Sequence, residues 1–82
     1  MNPIKVYGTQ WCGSVKRALK ILDENASDYE LIDIDRDEAA AAFVMKINHG
    51  NRSVPTLLFP DGSTLTEPTS AELINKIQSM PK

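Results

Sequence analysis

The stretch Ile4-Lys5-Val6-Tyr7-Gly8-Thr9-Gln10-Trp11-Cys12-Gly13-Ser14-Val15 decides how the chain folds. Ile4 to Tyr7 is rich in β-formers and ends at Gly8, which predicts a strand. Beyond the loop, Val15, Ala18, Leu19 and Leu22 recur at i, i+3, i+4 and i+7. That is the stripe of an amphipathic helix, expected from about Gly13 to Glu24 and stopping near Asn25. The chain therefore opens strand, short loop, helix, with a single cysteine at the joint.

Working outward, Tyr29-Glu30-Leu31-Ile32-Asp33-Ile34 predicts a second strand. Tyr29, Leu31 and Asp33 face one side, Ile32 and Ile34 the other, and apolar residues on both faces suit an interior strand. Asp35 as N-cap with Glu38 three residues on has capping-box spacing and predicts the start of a second helix. Ala40, Phe43, Val44 and Ile47 form its buried stripe, and Asn48-His49-Gly50 supplies the stop. Val54 to Phe59 reads as a third strand, Pro60-Asp61-Gly62 as a turn, and Ser63 to Thr66 as a short fourth strand. Thr69 and Glu72 form a capping box for a last helix that buries Leu73, Ile74 and Ile77. The order is β-α-β-α-β-β-α. Helical crossovers make the first two strands parallel and right-handed, and the last two form an antiparallel hairpin. The expected fold is α/β, a four-stranded mixed sheet flanked by three helices.

Composition bounds the function. The 82 residues make one domain, 1–82, and 41% hydrophobic with 24% charged residues is a globular mixture. The longest apolar run, Ala39 to Met45, is far short of the ~20 residues of a membrane helix. The first residues lack a basic region followed by an apolar stretch, so no signal peptide is expected. Nine Lys+Arg against eleven Asp+Glu give a formal charge of −2, which argues against nucleic acid as a partner. One cysteine cannot close an internal disulfide, and one His with one Cys cannot build a zinc site. A cytoplasmic monomer is expected.

Cys12 is the obvious nucleophile. An isolated cysteine is more often a small buried hydrophobe, but this one stands past a strand end at the first turn of a helix. Unsatisfied N–H groups and the positive end of the macrodipole stabilise a thiolate there. Such settings lower a thiol pKa from about 8.5 to ~3.5–7.5. Trp11 can shield one side, Gly13 permits close backbone approach, and Lys16, Arg17 and Lys20 add cations. The second feature is Val54-Pro55. Most X-Pro bonds are trans, and a proline opening a strand needs no functional reason. A cis bond would instead turn the Val54 N–H and C=O outward, where an extended thiol substrate could pair with them. Both readings stand at this level. His49 reads as a helix-end cation, the acidic residues from Asp28 to Glu38 as a solvated edge, and Tyr7 as either core or the floor of a thiol pocket.

A strand ending in Tyr7, then Trp11-Cys12-Gly13-Ser14 opening a helix, then Val54-Pro55-Thr56 and a Pro60-Asp61-Gly62 hairpin resembles the glutaredoxins of the thioredoxin superfamily. Asn51 to Thr56, Asp61 to Thr66 and Pro68 are most similar to the actinobacterial mycoredoxins, and the resemblance runs from Ile4 to about Ile77. It implies a thioredoxin fold with a cis proline at Pro55 and Cys12 as the catalytic nucleophile. Tyr7, Trp11, Gly13, Arg52, Val54, Pro55, Thr66 and Thr69 would surround the substrate thiol. No permanent cofactor is implied. A low-molecular-weight thiol, mycothiol or glutathione, would be co-substrate, and protein mixed disulfides would be the clients.

Two departures shape the expectation. Ordinary glutaredoxins carry Gly-Gly where Glu67 and Pro68 stand here, and Thr66, Thr69 and Ser70 add hydroxyls suited to a sugar-bearing thiol such as mycothiol. The family's C-x-x-C ends here in Val15, by natural or engineered loss of the resolving cysteine. Without the second thiol only a monothiol cycle is open. Two other readings follow from the same residues: a [2Fe–2S] carrier of the monothiol glutaredoxin type, and a non-catalytic thioredoxin-fold binding module in which Cys12 merely packs.

Overall fold

The computed structural model describes residues 3–10 and 12–80; the expectations for Trp11 lie outside the described residues. In chain order the elements are β1 (Ile4–Gly8), α1 (Gly13–Glu24), β2 (Tyr29–Asp33), α2 (Glu38–Ile47), β3 (Thr56–Leu58), β4 (Thr64–Thr66) and α3 (Ser70–Ser79). The expected β-α-β-α-β-β-α order is thus realised as a thioredoxin fold. The strands lie in the order β2-β1-β3-β4. β1 runs parallel to β2, with Ile4 opposite Tyr29, and antiparallel to β3, with Tyr7 opposite Thr56. β4 returns antiparallel along β3, with Thr66 opposite Thr56.

Alternation along β1 splits the core into two layers. Ile4 and Val6 join Leu57, Phe59, Ala18, Ile21, Leu22 and Leu73, so α1 and α3 cover one face. Tyr7 and Ile34 join Ala40, Ala41 and Val44 under α2 on the other. Each layer removes apolar side chains from water on one side of a sheet too small to be stable bare.

Three expectations are corrected. β2 is an edge strand, not an interior one. Tyr29 packs against one core layer and Ile32 against the other, but Leu31 remains 36% exposed. Helices cover both faces even at the edge, which is why both carry apolar residues. The N-cap of α2 is Asp37, whose Oδ1 accepts the Ala40 N–H at 3.0 Å, rather than Asp35. The Asp35 N–H donates to Asp33 Oδ1 at 2.9 Å, an Asx turn that carries the chain from β2 towards α2. The third strand is confined to Thr56–Leu58, because Val54 and Pro55 precede the ladder.

α1 lies unusually close to β1 at one point. A Cβ on Gly8 would sit 2.6 Å from Val15 Cγ2 and 3.0 Å from Cγ1. Only a residue without a side chain permits that approach. Val15 is itself 1% exposed and β-branched, so its methyls have little freedom to move. At the far end of the sheet, Lys76 Nζ donates to Asp61 Oδ2 at 2.8 Å and lies 5.3 Å from the Phe59 ring centroid. Ser63 donates to Asp61 Oδ1 through both its N–H and its Oγ. The Lys76 hydrogen bond, helped by those from Ser63, holds the Asp61 carboxyl well below the usual range.

Two outcomes follow. Gly8→Ala destabilises the fold by about 1–3 kcal/mol, the cost of overpacking. Adding Val15→Ala to Gly8→Ala restores part of that loss, measured as a coupling in a double-mutant denaturation cycle. The depressed Asp61 carboxyl stabilises the fold above the ordinary carboxylate range and ceases to do so as pH falls through its lowered value. Asp61→Asn therefore gives a shallower loss of Tm on acidification than the parent chain, read by thermal melts at successive pH values.

Candidate active site

Strand pairing brings the chemistry together. Because Tyr7 lies opposite Thr56, and Thr56 opposite Thr66, three segments emerge at the same end of the sheet. They are the loop from β1 to α1, the residues before β3, and the turn from β4 to α3. The first carries Cys12 and Gly13, the second Arg52, Val54 and Pro55, and the third Thr66 and Thr69.

Cys12 is the N-cap of α1, in extended backbone (φ −80°, ψ 123°), half-buried and free. Its N–H donates to the Thr9 carbonyl at 3.5 Å, and its carbonyl accepts from the Lys16 N–H at 3.2 Å. Its side chain makes no capping hydrogen bond. A helix start with no side-chain acceptor leaves partial positive charge beside whatever occupies the cap. Here the occupant is a thiol. Thr9 is 3% exposed, and its hydroxyl has no hydrogen-bond partner among the described residues.

The Val54–Pro55 bond is cis, and Pro55 is buried. The Pro55 carbonyl accepts the Glu67 N–H at 2.8 Å, which ties the second segment to the third. Arg52 donates through Nη2 to the Ile34 carbonyl and to Asp35 Oδ1, both at 3.3 Å. Its guanidinium therefore anchors its own loop to the turn after β2. Tyr7 is 7% exposed and packs on Phe43 with ring centroids 4.9 Å apart, within the layer that also holds Val54. It supports that segment from below. Burial, then the charges of Glu30 and Asp37, raise its phenol above its usual range.

One side chain that looked like a mere helix stop organises this end of the molecule. Asn48 Nδ2 donates to Thr56 Oγ1 at 3.0 Å and to the Val44 carbonyl at 2.8 Å, while its Oδ1 accepts from Thr66 Oγ1 at 2.8 Å. Thr56 Oγ1 in turn donates to the Ser53 carbonyl at 2.8 Å. Asn48 thereby joins α2, β3 and β4, and Thr66 spends its hydroxyl proton on it. Thr69 is likewise engaged: its Oγ1 accepts the Glu72 N–H, and Glu72 Oε1 accepts the Thr69 N–H, completing the expected capping box.

The glutaredoxin family model matches residues 4–63. The chain belongs to the glutaredoxin family. This glutaredoxin is 42% identical to mycoredoxin 1 of Corynebacterium glutamicum over 80 residues, 98% of this chain and 99% of that one. Its fold is similar to that of the glutaredoxin from Archaeoglobus fulgidus, with TM-score 0.75 and 26% identity over 96% of this chain and 89% of the other. It is also similar in fold to a buckwheat glutaredoxin solved with glutathione, with TM-score 0.69 and 24% identity, covering 94% of this chain and 69% of that one. This chain is a glutaredoxin-like thiol oxidoreductase with a single cysteine.

Truncating Asn48 tests the network. Asn48→Ala leaves the wholly buried Thr56 hydroxyl without its donor and costs roughly 1–3 kcal/mol by equilibrium denaturation. Asn51→Ala, removing an exposed donor to the Asn48 carbonyl, costs less than about 0.5 kcal/mol.

Proposed function

We propose that this glutaredoxin removes a low-molecular-weight thiol, mycothiol, from protein mixed disulfides by a monothiol cycle centred on Cys12. The observation that carries the reading is the free, half-buried Cys12 at an uncapped helix start, at the same sheet end as Val54-Pro55. Its thiolate attacks the small-thiol sulfur of a protein–S–S–R adduct. The S–S bond breaks, the protein leaves as a thiolate, and Cys12–S–S–R forms. A second R–S⁻ then attacks the R sulfur of that adduct, releasing R–S–S–R and regenerating the Cys12 thiolate.

Val15 supports this cycle over a dithiol one. It fills the position of a resolving cysteine with a buried aliphatic side chain pressed against Gly8, so an outside thiol must resolve the adduct. The likeness to mycoredoxin 1 favours mycothiol as R, and glutathione is the competing thiol. Gly13 at the first helical position leaves the backbone beside Cys12 open to the substrate. Its Cβ position meets nothing within 4 Å. A lone free thiol also suits the reducing cytoplasm.

Cys12→Ser abolishes reduction of a mycothiolated reporter protein in the presence of mycothiol and an NADPH-coupled readout. Retained turnover in that variant would overturn the proposal. Val15→Ala leaves the reaction single-cysteine and keeps mycothiol dependence, at a cost in stability of about 1–3 kcal/mol from the cavity in the core.

A further inference from the structure

β2 ends the sheet on one side, and its outer edge has no neighbouring strand among the described residues. Hydrogen bonds to β1 show which groups that edge presents. The Ile34 N–H donates to the Gly8 carbonyl, and the Ile4 N–H to the Asp28 carbonyl, both at 3.0 Å. Backbone direction alternates along a strand, so residues 28, 30, 32 and 34 turn their N–H and C=O groups to β1. Tyr29, Leu31 and Asp33 turn theirs outward. The Asp33 carbonyl accepts the Arg36 N–H at 3.2 Å within its own turn. The outward groups of Tyr29 and Leu31 are left to water or to a partner.

Such an edge is a template for another strand, and proteins ordinarily blunt it with a proline, a bulge or a lysine. Tyr29–Asp33 has none of the three, and its register with β1 runs unbroken from Ile4 opposite Tyr29 to Gly8 opposite Asp33. It carries an apolar side chain in the open instead, Leu31, 36% exposed. The carboxylates of Asp28 and Glu30, on either side of Tyr29, are also exposed. Among the described residues neither forms an ion pair, although Lys5 of β1 stands opposite Glu30. The surroundings have the same sign. Residues 23–38 hold eight of the chain's eleven Asp and Glu and a single base, Arg36, which already lies 3.8 Å from Asp33.

We infer that the outer edge of β2 is a docking strand for an extended cationic segment of another protein, one that alternates apolar residues with Lys or Arg. Main-chain hydrogen bonds to Tyr29 and Leu31 give the pairing, and side chains choose the partner. Tyr29 packs against the core layer under α1, so Leu31, two residues on, lies on that face of the sheet. An apolar residue of the segment opposite Leu31 falls on the same face and shields it. The residues that flank it fall on the other face, where a cation meets Glu30 and, one step further, Asp28. A second copy of this chain is the poorer occupant, because its own β2 brings acids against acids. Gly8 lies opposite Asp33, so a docked segment reaches the end of the sheet that holds Cys12. The inference stands apart from the thiol-transfer reading, since the edge binds whether or not Cys12 exchanges thiols.

The probe is the peptide acetyl-Lys-Val-Lys-Val-Lys-Val-Lys-amide, titrated into the isotope-labelled full chain and followed by amide NMR signals. The signals of Tyr29, Leu31 and Asp33 move, and those of β4, at the opposite edge, stay in place. Glu30→Lys weakens binding by about fivefold, the effect of one cross-strand pair turned from attraction to repulsion, and Glu30→Gln by about twofold. A copy with proline for each valine keeps the charge but lacks the donors that face the edge, and binds about tenfold more weakly. A copy with glutamate for each lysine does not bind. Failure of the lysine peptide to bind, shifts confined to another part of the molecule, or equal affinity for the proline copy would each overturn the inference. Sedimentation that shows a dimer of the chain alone, broken by Glu30→Lys or by Leu31→Lys, would assign the edge to a second copy and overturn it as well.

Discussion

The contact between Val15 and Gly8 is the constraint on which the active end of the molecule depends. With no Cβ on Gly8, α1 settles directly onto β1, and the valine methyls occupy the space a side chain would need. That contact fixes where α1 begins. It therefore fixes where Cys12 stands, since the cysteine caps the helix three residues before Val15. A valine in this place packs α1 onto β1 and carries no thiol. Packing and the proposed mechanism meet at one residue: the core is kept, and in the proposed cycle an outside thiol resolves the adduct.

The remaining site follows from strand register. β1 and β3 are antiparallel neighbours, so the residue that leaves one and the residue that enters the other share an end of the sheet. Backbone and side-chain hydrogen bonds then lock the three segments to one another. The Pro55 carbonyl holds Glu67, Arg52 holds Ile34 and Asp35, and Asn48 holds Thr56 and Thr66. Such cross-links between loops and rigid strands are what keep a binding surface in one geometry. Charge is distributed unevenly over that surface. Lys16, Arg17 and Lys20 lie on α1, while Glu67 and Glu72 lie at the start of α3.

Much of this was legible in the residues, and the exceptions have physical reasons. α1 is legible with its observed bounds because its apolar residues recur at i, i+3, i+4 and i+7 without interruption. The α3 cap was read correctly because both partners, Thr69 and Glu72, lie within four residues. Locality failed between 33 and 37, where Asp33, Asp35 and Asp37 are all competent caps and only the path of the turn decides among them. β2 was misplaced because alternation reports which faces are covered, not which neighbours pair. Asn48 was missed as an organiser since its partners are eight and eighteen residues away, and no local pattern announces such a bond. The left-handed backbone of Glu67 was equally invisible, because glutamate is not a residue that signals it.

The central claim is that Cys12 exchanges one small thiol for another through a covalent adduct. Intact-protein mass spectrometry after incubation with oxidised mycothiol, followed by addition of the reduced thiol, tests it most directly. The account predicts a single adduct of one mycothiol on Cys12 that disappears when the reduced thiol is added. A chain that keeps its unmodified mass, or an adduct that the free thiol does not remove, would contradict it.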